Sequence, residues 1–230
     1  MWYGSSNLYI RKVIAMHLPD SVLQPFRRDA KYAAWVPLYL LLFLLLEQWN
    51  TTNYWDTQLP VDAQIPFCEW FIIPYCLWYP FLIFVGIYLL MRDSNAFRRY
   101  MYFLSASFFL SLLIWFLIPN GQNLRPAVMP RDNVLTALIA NLYSIDTNTN
   151  VFPSVHVVGS IGAALAVWDC AALRHHKWTV LTATLLAFLI CLSVVFVKQH
   201  AFLDLVSGLL LSALVSIPIY LLPRVRQKYA

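Results

Sequence analysis

Two histidines lie in short polar motifs whose residue types are those of acid–base and nucleophilic catalysis. His156 follows Pro153 and Ser154, which are typical of the start of a helix. His200 precedes Asp204 by four residues, a spacing that places both on one helix face. A carboxylate that accepts a hydrogen bond from one ring N–H of a histidine leaves the lone pair of the other ring nitrogen free to attack. The pattern therefore predicts His200 as a base or nucleophile, Asp204 as its orienting partner and His156 as a general acid.

The histidines would act on a phosphate, which nearby cations would bind. The planar guanidinium of Arg125 matches phosphate geometry, and Lys198 lies two residues before His200. Helix N-termini add partial positive charge and free N–H groups. Phosphoryl transfer through a phosphohistidine uses all of these groups, and it requires no metal and no other cofactor.

The composition of the 230 residues indicates that these motifs belong to a membrane protein. Hydrophobic residues make up 60% and charged residues 12% of the chain, and the mean hydropathy is +0.63. Soluble domains contain about 45–50% apolar and about 25% charged residues. The composition thus excludes a soluble domain, a disordered chain, a coiled coil and a collagen. The four cysteines lie in apolar stretches without metal-site spacing and are predicted to pack as small apolar residues.

Stretches of about 20 apolar residues, the length that spans a bilayer, occur six times and predict an all-α membrane bundle. The predicted spans are Tyr32–Leu46, Phe67–Met91, Tyr100–Leu117, Val155–Leu173, Trp178–Val197 and Ala201–Leu222. They form one membrane domain over residues 32–222. Residues 1–31 are predicted to be cytoplasmic, with a short interfacial helix as one interpretation, and residues 223–230 form a basic cytoplasmic tail.

The basic residues set the predicted orientation of these spans. All but three of the 16 lysines and arginines lie in segments on one side, which is therefore cytoplasmic and contains both termini. The three exceptions are Arg125, Arg131 and Lys198. The net charge of +5 is then a topology signal, and no nucleic-acid partner is expected.

One connection is much longer than the others, and it lies on the extracytoplasmic or luminal side. Residues 119–154 join spans three and four and contain the apolar stretch VLTALIANLY. Loops beyond about 12–15 residues are usually functional or disordered. The apolar stretch favours an ordered segment with a short surface helix, so we expect a lid or substrate-binding cap. The N-termini of spans four and six point to this same side, and they would bring His156 and His200 together.

The motifs resemble those of the type 2 phosphatidic acid phosphatase superfamily, which includes vanadium haloperoxidases. The family motifs are K-x6-R-P, P-S-G-H and S-R-x5-H-x3-D. Here they appear as Arg125-Pro126, as the run PSVH ending at His156, and as Ser193-x6-His200-x3-Asp204. The resemblance covers most of residues 32–222. It implies His200 as the nucleophile with Asp204 as its partner, His156 as the acid for the leaving group, and Arg125 with Ser154 as phosphate ligands.

Three positions depart from the family pattern. The lysine of the first motif falls at Ile118, the glycine of the second at Val155 and the arginine of the third at Val194. Lys198 is the expected replacement for one lost cation. The other replacement is Arg131 or a set of amides: Asn120, Gln122 and Asn123. The FPSVH and KQH sequences are similar to a branch with bacterial members and lipid head-group transferases, such as inositol phosphorylceramide and sphingomyelin synthases.

Several interpretations remain open from the sequence. The first is hydrolysis of a lipid phosphate taken from the bilayer, and head-group transfer to a lipid alcohol is the main alternative. A transporter with a His–Asp proton relay and a protein that only binds phospholipid are the alternatives without catalysis. A zinc site at His156, His200 and Asp204 and a serine nucleophile at Ser154 are weaker interpretations. Glu69 is either an interfacial residue or a functional charge.

Overall fold

The computed structural model describes residues 28–49 and 53–222. The predicted N-terminal interfacial helix and the basic tail at 223–230 lie outside these residues. The helices are α1 (Val36–Trp49), α2 (Ile72–Cys76), α3 (Trp78–Arg92), α4 (Ser94–Leu117), α5 (Val134–Ile145), α6 (Val155–Asp169), α7 (Lys177–Phe196) and α8 (Phe202–Ser216). Two short strands, β1 (Trp55–Asp56) and β2 (Asn120–Gly121), complete the elements that position the site.

The all-α prediction is confirmed, whereas the count of six long spans is not. Within residues 28–49 and 53–222, five segments are long and apolar enough to cross a membrane: Ala30–Trp49, Glu69–Arg92, Ser94–Leu117, Lys177–Phe196 and Phe202–Leu221. The predicted fourth span is α6, which ends at Asp169 instead of Leu173 and has 15 residues. At 1.5 Å per residue, a helix of this length is shorter than the roughly 30 Å apolar core of a bilayer.

Local chemistry explains where the other helices begin and break. Asp93 accepts a hydrogen bond from the backbone N–H of Ala96, and this cap starts α4 at Ser94 instead of the predicted Tyr100. The predicted second span is divided at Leu77, because Pro80 has no N–H with which to continue the helical ladder. The last span changes to a π-turn at Ile217–Leu221, which contains a proline.

Helix α6 forms the centre of the molecule. Twelve of its 15 residues are buried, and it packs against α3, α4, α7 and α8. In α1, by contrast, only Tyr39 is buried. Large apolar side chains on the outer faces of the long helices are exposed, as expected for residues that face lipid; examples are Leu44, Phe84, Phe188 and Leu214. The position of α6 explains how a short helix can serve as the scaffold of the site.

Glycines allow α6 to approach its neighbours closely. A Cβ atom at Gly208 of α8 would lie 2.9 Å from the Cβ of Val157 and 3.0 Å from the carbonyl oxygen of Ser154. A Cβ at Gly86 of α3 would meet only a ring carbon of Tyr100 at 3.8 Å, an ordinary contact. The α6–α8 contact at the start of α6 therefore depends on the absence of a side chain at Gly208.

We expect Gly208→Ala to destabilise the fold by about 1–3 kcal/mol, because the added methyl would press on a backbone carbonyl that cannot move away freely. Gly86→Ala is the matched control, and it should be neutral or stabilising by up to about 1 kcal/mol from helix propensity. Thermal unfolding of both variants in the same detergent measures the difference. Equal unfolding temperatures would contradict the close α6–α8 contact.

The strand pair ties two extramembrane segments together. β1 and β2 are parallel, with Trp55 opposite Asn120 and Asp56 opposite Gly121, and Gly121 also bridges to Thr149. The helix expected within VLTALIANLY is present as α5, and Asn133 caps it by accepting from the N–H groups of the next turn. The segment 119–154 is therefore an ordered cap over the ends of α6 and α8.

Candidate active site

The two histidines of the sequence motifs meet at the end of the molecule that this cap covers. His156 lies in the first turn of α6, and His200 lies in the turn between α7 and α8. Their ring centroids are 5.7 Å apart at an interplanar angle of 65°, and the residues are only 8% and 6% exposed. One correction concerns His200. The four-residue spacing placed it on one helix face with Asp204, but it precedes α8, because Asp204 caps that helix at the N–H of Ala201.

A backbone carbonyl is the nearest partner of His200. The Nδ1 atom of His200 lies 3.1 Å from the carbonyl oxygen of Val151 and 3.6 Å from Oδ2 of Asp204. Since a carbonyl can only accept, Nδ1 carries the proton and Nε2 keeps its lone pair. The fully buried Asp204 contributes its charge and the helix cap. The sequence offered no signal for Val151, because a backbone acceptor is independent of residue type.

Aromatic rings fix the orientation of His156. Its ring stacks on Tyr75 at a centroid distance of 4.6 Å and lies 4.4 Å from the ring of Trp78. Its Nδ1 atom is buried and has no hydrogen-bond partner among the described residues. The imidazole is therefore held by ring contacts alone, which leaves that nitrogen available to a ligand.

Both histidines line a cavity of about 30 Å³, which has room for one or two water molecules. Two carboxylates that the sequence analysis missed, Glu47 and Asp146, line the same cavity. The only sequence signals for them were a lone acid at the outer end of the first span and an acid at the start of the polar run DTNTN. The remaining lining residues are Phe43, Trp115, Thr147, Thr149, Asn150, Val151, Val155 and Gln199.

The structure places Arg125 beside this cavity, with most of its hydrogen bonds made to the protein. Nη2 donates to the carbonyl oxygens of Asp146 and Thr147 at 2.7 and 2.5 Å and to Oε1 of Gln199 at 2.6 Å. Nη1 donates to the carbonyl oxygen of Tyr143, whose ring lies 4.5 Å from the guanidinium carbon. Burial lowers the pKa of Arg125, and the nearby Asp146 opposes that shift. Its buried Nε has no partner among the described residues.

A chain of hydrogen bonds joins Arg125 to the ring that supports His156. Gln199 accepts from Arg125 and donates through Nε2 to Oδ2 of Asp146 at 2.9 Å. The hydroxyl of Tyr75 donates to the same oxygen at 3.3 Å, and the Tyr75 ring stacks on His156. Burial raises the pKa of Asp146, whereas His200 and Arg125 oppose the rise. The network therefore connects the cap to the ring that orients His156.

Lys198, the expected replacement cation, does not line the cavity in this structure. Its ammonium donates to the carbonyl oxygens of Asp62 and Ile65 at 3.1 and 2.5 Å. Its backbone lies in the left-handed region at a φ of 55°. Burial lowers its pKa, and Asp62 opposes that shift. Lys198 therefore ties the turn before α8 to the segment at residues 60–65.

We expect Lys198→Ala to lower the free energy of unfolding by roughly 1.5–3 kcal/mol, because two carbonyls lose a charged donor. Thermal unfolding in detergent measures this loss. If Lys198 bound phosphate directly, the variant would instead raise KM sharply with little change in stability. Lys177→Ala, an exposed lysine at the start of α7, is the matched control.

Arg131 also has a protein partner outside the cavity. Its Nε and Nη2 atoms pair with the two carboxylate oxygens of Glu69 at 2.6 and 2.5 Å, and Asn133 donates to Oε1 of Glu69 at 3.3 Å. This fork holds the cap segment before α5 against the start of the second span. Glu69 thus has an architectural partner in the structure.

Three predicted polar ligands are fully buried and hydrogen-bonded to the protein: Ser154, Asn120 and Gln122. Ser154 caps α6, and its N–H donates to the carbonyl oxygen of Asp204 at 3.2 Å. Oδ1 of Asn120 accepts from the N–H of Val151 at 2.9 Å, and so fixes the residue whose carbonyl orients His200.

The other two predicted amides also have protein partners. The Nε2 of Gln122 donates to the backbone carbonyls of residues 198 and 199 at 3.0 and 3.2 Å. Asn123 accepts from the hydroxyl of Tyr54 at 2.9 Å.

The site is therefore rich in carboxylates and poor in cations. No described residue that lines the cavity is a lysine or arginine. Two apolar residues occupy the positions of the lysine and the arginine in the family motifs. Ile118 is exposed, and Val194 is fully buried in the apolar core. Within residues 28–49 and 53–222, no three histidine, cysteine or acidic side chains are arranged to hold a metal ion.

Comparison with known proteins gives a family match. The family described as the PAP2 superfamily matches residues 104–228, which is 125 of the 230 residues. The matched range begins within α4 and includes the cap, both histidines, Arg125 and Asp204. No curated protein and no solved structure matches the chain.

Proposed function

The chain belongs to the PAP2 superfamily, and on that premise we propose that it transfers the phosphoryl group of a membrane lipid phosphate through a phosphohistidine at His200. Membership supports a phosphatase-type enzyme in general. The observation that carries the finer proposal is the pair of buried imidazoles that line one cavity, with Nδ1 of His200 held by the carbonyl of Val151.

The proposed reaction has two steps. The Nε2 atom of His200 attacks phosphorus, the bond to the leaving alcohol breaks, and that oxygen takes a proton from His156. Water then attacks phosphorus, gives its proton to His156, and the P–N bond breaks to restore His200. The charge of Asp204 at 3.6 Å and the acceptor at Val151 stabilise the positive ring of the phosphohistidine.

We assign phosphate binding to groups beside the cavity that have free donors. These are the unpartnered Nε–H of Arg125 and the backbone N–H groups of Val155 and His156, which precede the N–H that Ser154 caps and have no intrahelical acceptor. The hydrogen bonds of Ser154, Lys198 and Arg131 go to the protein. We therefore assign Ser154 and Arg131 to positioning the cap, and Lys198 to positioning the turn before α8. The cavity is small in this structure, and the cap has to open to admit the phosphate.

We place this site at the extracytoplasmic or luminal face of the membrane, with both termini cytoplasmic. The basic residues of this part of the chain lie at the end of α3, in the first turns of α4, and between α6 and the first residue of α7: Arg92, Arg98, Arg99, Arg174 and Lys177. The cavity lies at the other ends of α3, α4 and α7. In this arrangement, α6 completes a six-helix bundle as a short buried helix. The lipid substrate reaches the cavity from the bilayer.

A labelling experiment tests the proposal. The protein in detergent with excess EDTA is mixed with lipids labelled at the phosphate: phosphatidate, phosphatidylglycerophosphate, polyprenyl pyrophosphate and sphingosine phosphate. We expect release of inorganic phosphate and, after rapid quenching, label on the protein that is stable in alkali and lost in acid, as a P–N bond is. Release without such label would overturn the phosphohistidine.

Head-group transfer is the second candidate, and the scarcity of cations at the cavity favours it. A scarcity of cations weakens the binding of a dianionic monoester more than the binding of a monoanionic diester. In the same assay with labelled phosphatidylethanolamine as the diester and an added lipid alcohol, transfer predicts label in a new lipid and little water-soluble label. Hydrolysis predicts no dependence on the alcohol.

A further inference from the structure

The carboxylates at the cavity lack the partners that buried charges normally have. Glu47 accepts from the hydroxyl of Thr147 and from the amide of Asn150 at 3.2 Å. Oδ2 of Asp146 accepts from Tyr75 and Gln199. All four donors are neutral, and no described lysine or arginine forms an ion pair with either carboxylate. A partly buried carboxylate without an ion-pair partner is unfavourable, so the cavity is electrostatically incomplete.

A second observation points to a ligand in the same cavity. His156 is 8% exposed and lines the cavity, and its Nδ1 atom has no partner among the described residues. A buried polar atom of this kind needs a hydrogen-bond partner. The ligand that satisfies His156 therefore lies against Glu47 and Asp146.

We propose that the substrate carries an ammonium group close to its phosphate, and that Glu47 and Asp146 bind this ammonium while His200 attacks the phosphorus. The proposal rests on the function proposed above and names the substrate class of that site. A phosphate without a cation would bring further negative charge beside two carboxylates, whereas a zwitterionic phosphate matches both the carboxylates and the donors around Arg125.

Two kinds of lipid have this chemistry. In a sphingoid-base phosphate the ammonium is on the lipid, and the phosphate is a monoester. In an ethanolamine phospholipid the ammonium is on the head group, and the phosphate is a diester. In either case, Nε2 of His200 forms the P–N bond as the ester bond to the lipid alcohol breaks, and His156 protonates the departing oxygen. The products after attack by water are inorganic phosphate in the first case and phosphoethanolamine in the second.

The experiment compares matched lipids in mixed micelles. Sphingosine phosphate is compared with its N-acetyl derivative, which lacks the charge, and phosphatidylethanolamine with its N-acetyl derivative. For wild type we expect kcat/KM to be about ten- to a hundredfold higher with the charged member of at least one pair, as for a hydrogen bond between charged groups. The pair that shows the preference identifies the position of the ammonium.

Variants assign this preference to the carboxylates. Glu47→Gln should reduce the charged-to-acetylated ratio about tenfold, and the double variant with Asp146→Asn should bring it close to one. If both variants instead slow the two members of each pair equally and leave the ratio unchanged, the carboxylates act on His156 and the proposal is wrong. A wild-type ratio near one in both pairs also overturns it.

Binding to the His200→Asn protein separates this proposal from the proposed function. Tighter binding of the charged lipids, lost with Glu47→Gln, supports the ammonium site even if no lipid is turned over, in which case the catalytic proposal fails alone. Turnover that depends on His200 but shows no charge preference in rate or binding leaves the catalytic proposal intact and overturns the ammonium site.

Discussion

Replacement of His200 by asparagine is expected to reduce phosphoryl transfer by roughly 10⁴-fold or more, the scale at which loss of a nucleophile removes covalent catalysis. The change is conservative for the fold. The side-chain amide of asparagine can still donate to the carbonyl of Val151, as Nδ1 of the histidine does at 3.1 Å. What disappears is the lone pair on Nε2, so neither the P–N bond nor the acid-labile label on the protein can form.

The control for this variant is His176→Asn. His176 is exposed in the turn before α7 and makes no side-chain capping bond. Rates of phosphate release and the amount of labelled protein are measured for wild type and both variants, with unfolding temperatures as a check on the fold. Turnover above about one per cent of wild type in His200→Asn, with a normal unfolding temperature, would show that another group attacks phosphorus.

The sequence alone predicted the parts of this molecule that depend on local patterns. Long apolar stretches specify the spanning helices, because the bilayer requires about 20 apolar residues whatever their neighbours are. The apolar stretch in the long loop specifies α5, since its periodicity is local. The fourth helix was predicted too long, because hydropathy does not distinguish a lipid-facing helix from one buried by four others. Asp169 ends α6 well before the apolar character of the segment does.

The hydrogen-bond acceptors of the cationic side chains could not be predicted from the sequence. Lys198 was expected at the phosphate because it lies two residues from His200, but its left-handed backbone directs the ammonium to the carbonyls of Asp62 and Ile65. Arg125 was expected to present its whole fork to phosphate, yet three of its acceptors are backbone carbonyls of the cap. Such acceptors have no residue signature, so only the fold can reveal them.

The carboxylates were missed for a related reason. Glu47 and Asp146 lie 99 positions apart in the chain and in no motif with either histidine. The cap brings them to one cavity through the contacts of Thr147 and Asn150 with Glu47. Pairs of this kind arise from tertiary packing, and residue spacing contains no information about them.

Replacement of His156 by phenylalanine is expected to separate the two steps of the reaction. The phenyl ring can keep the contacts with Tyr75 and Trp78, and the lost Nδ1 has no described partner to leave unsatisfied. With a lipid alkyl ester, the leaving oxygen needs a proton, and we expect the rate to fall about 10²–10⁴-fold. With p-nitrophenyl phosphate, the leaving group needs no proton, so attack by His200 should remain within about tenfold of wild type.

The second step still requires His156 as the base for water, and this requirement gives the variant a distinctive time course. Rapid mixing of His156→Phe with p-nitrophenyl phosphate should show a burst of one nitrophenolate per active site, followed by slow turnover and accumulation of labelled protein. His200→Asn should show no burst with either ester. If His156→Phe instead lowers the first turnover of both esters by the same factor, then His156 does not protonate the leaving group, because an acid that acts on that oxygen must matter most where the oxygen is most basic.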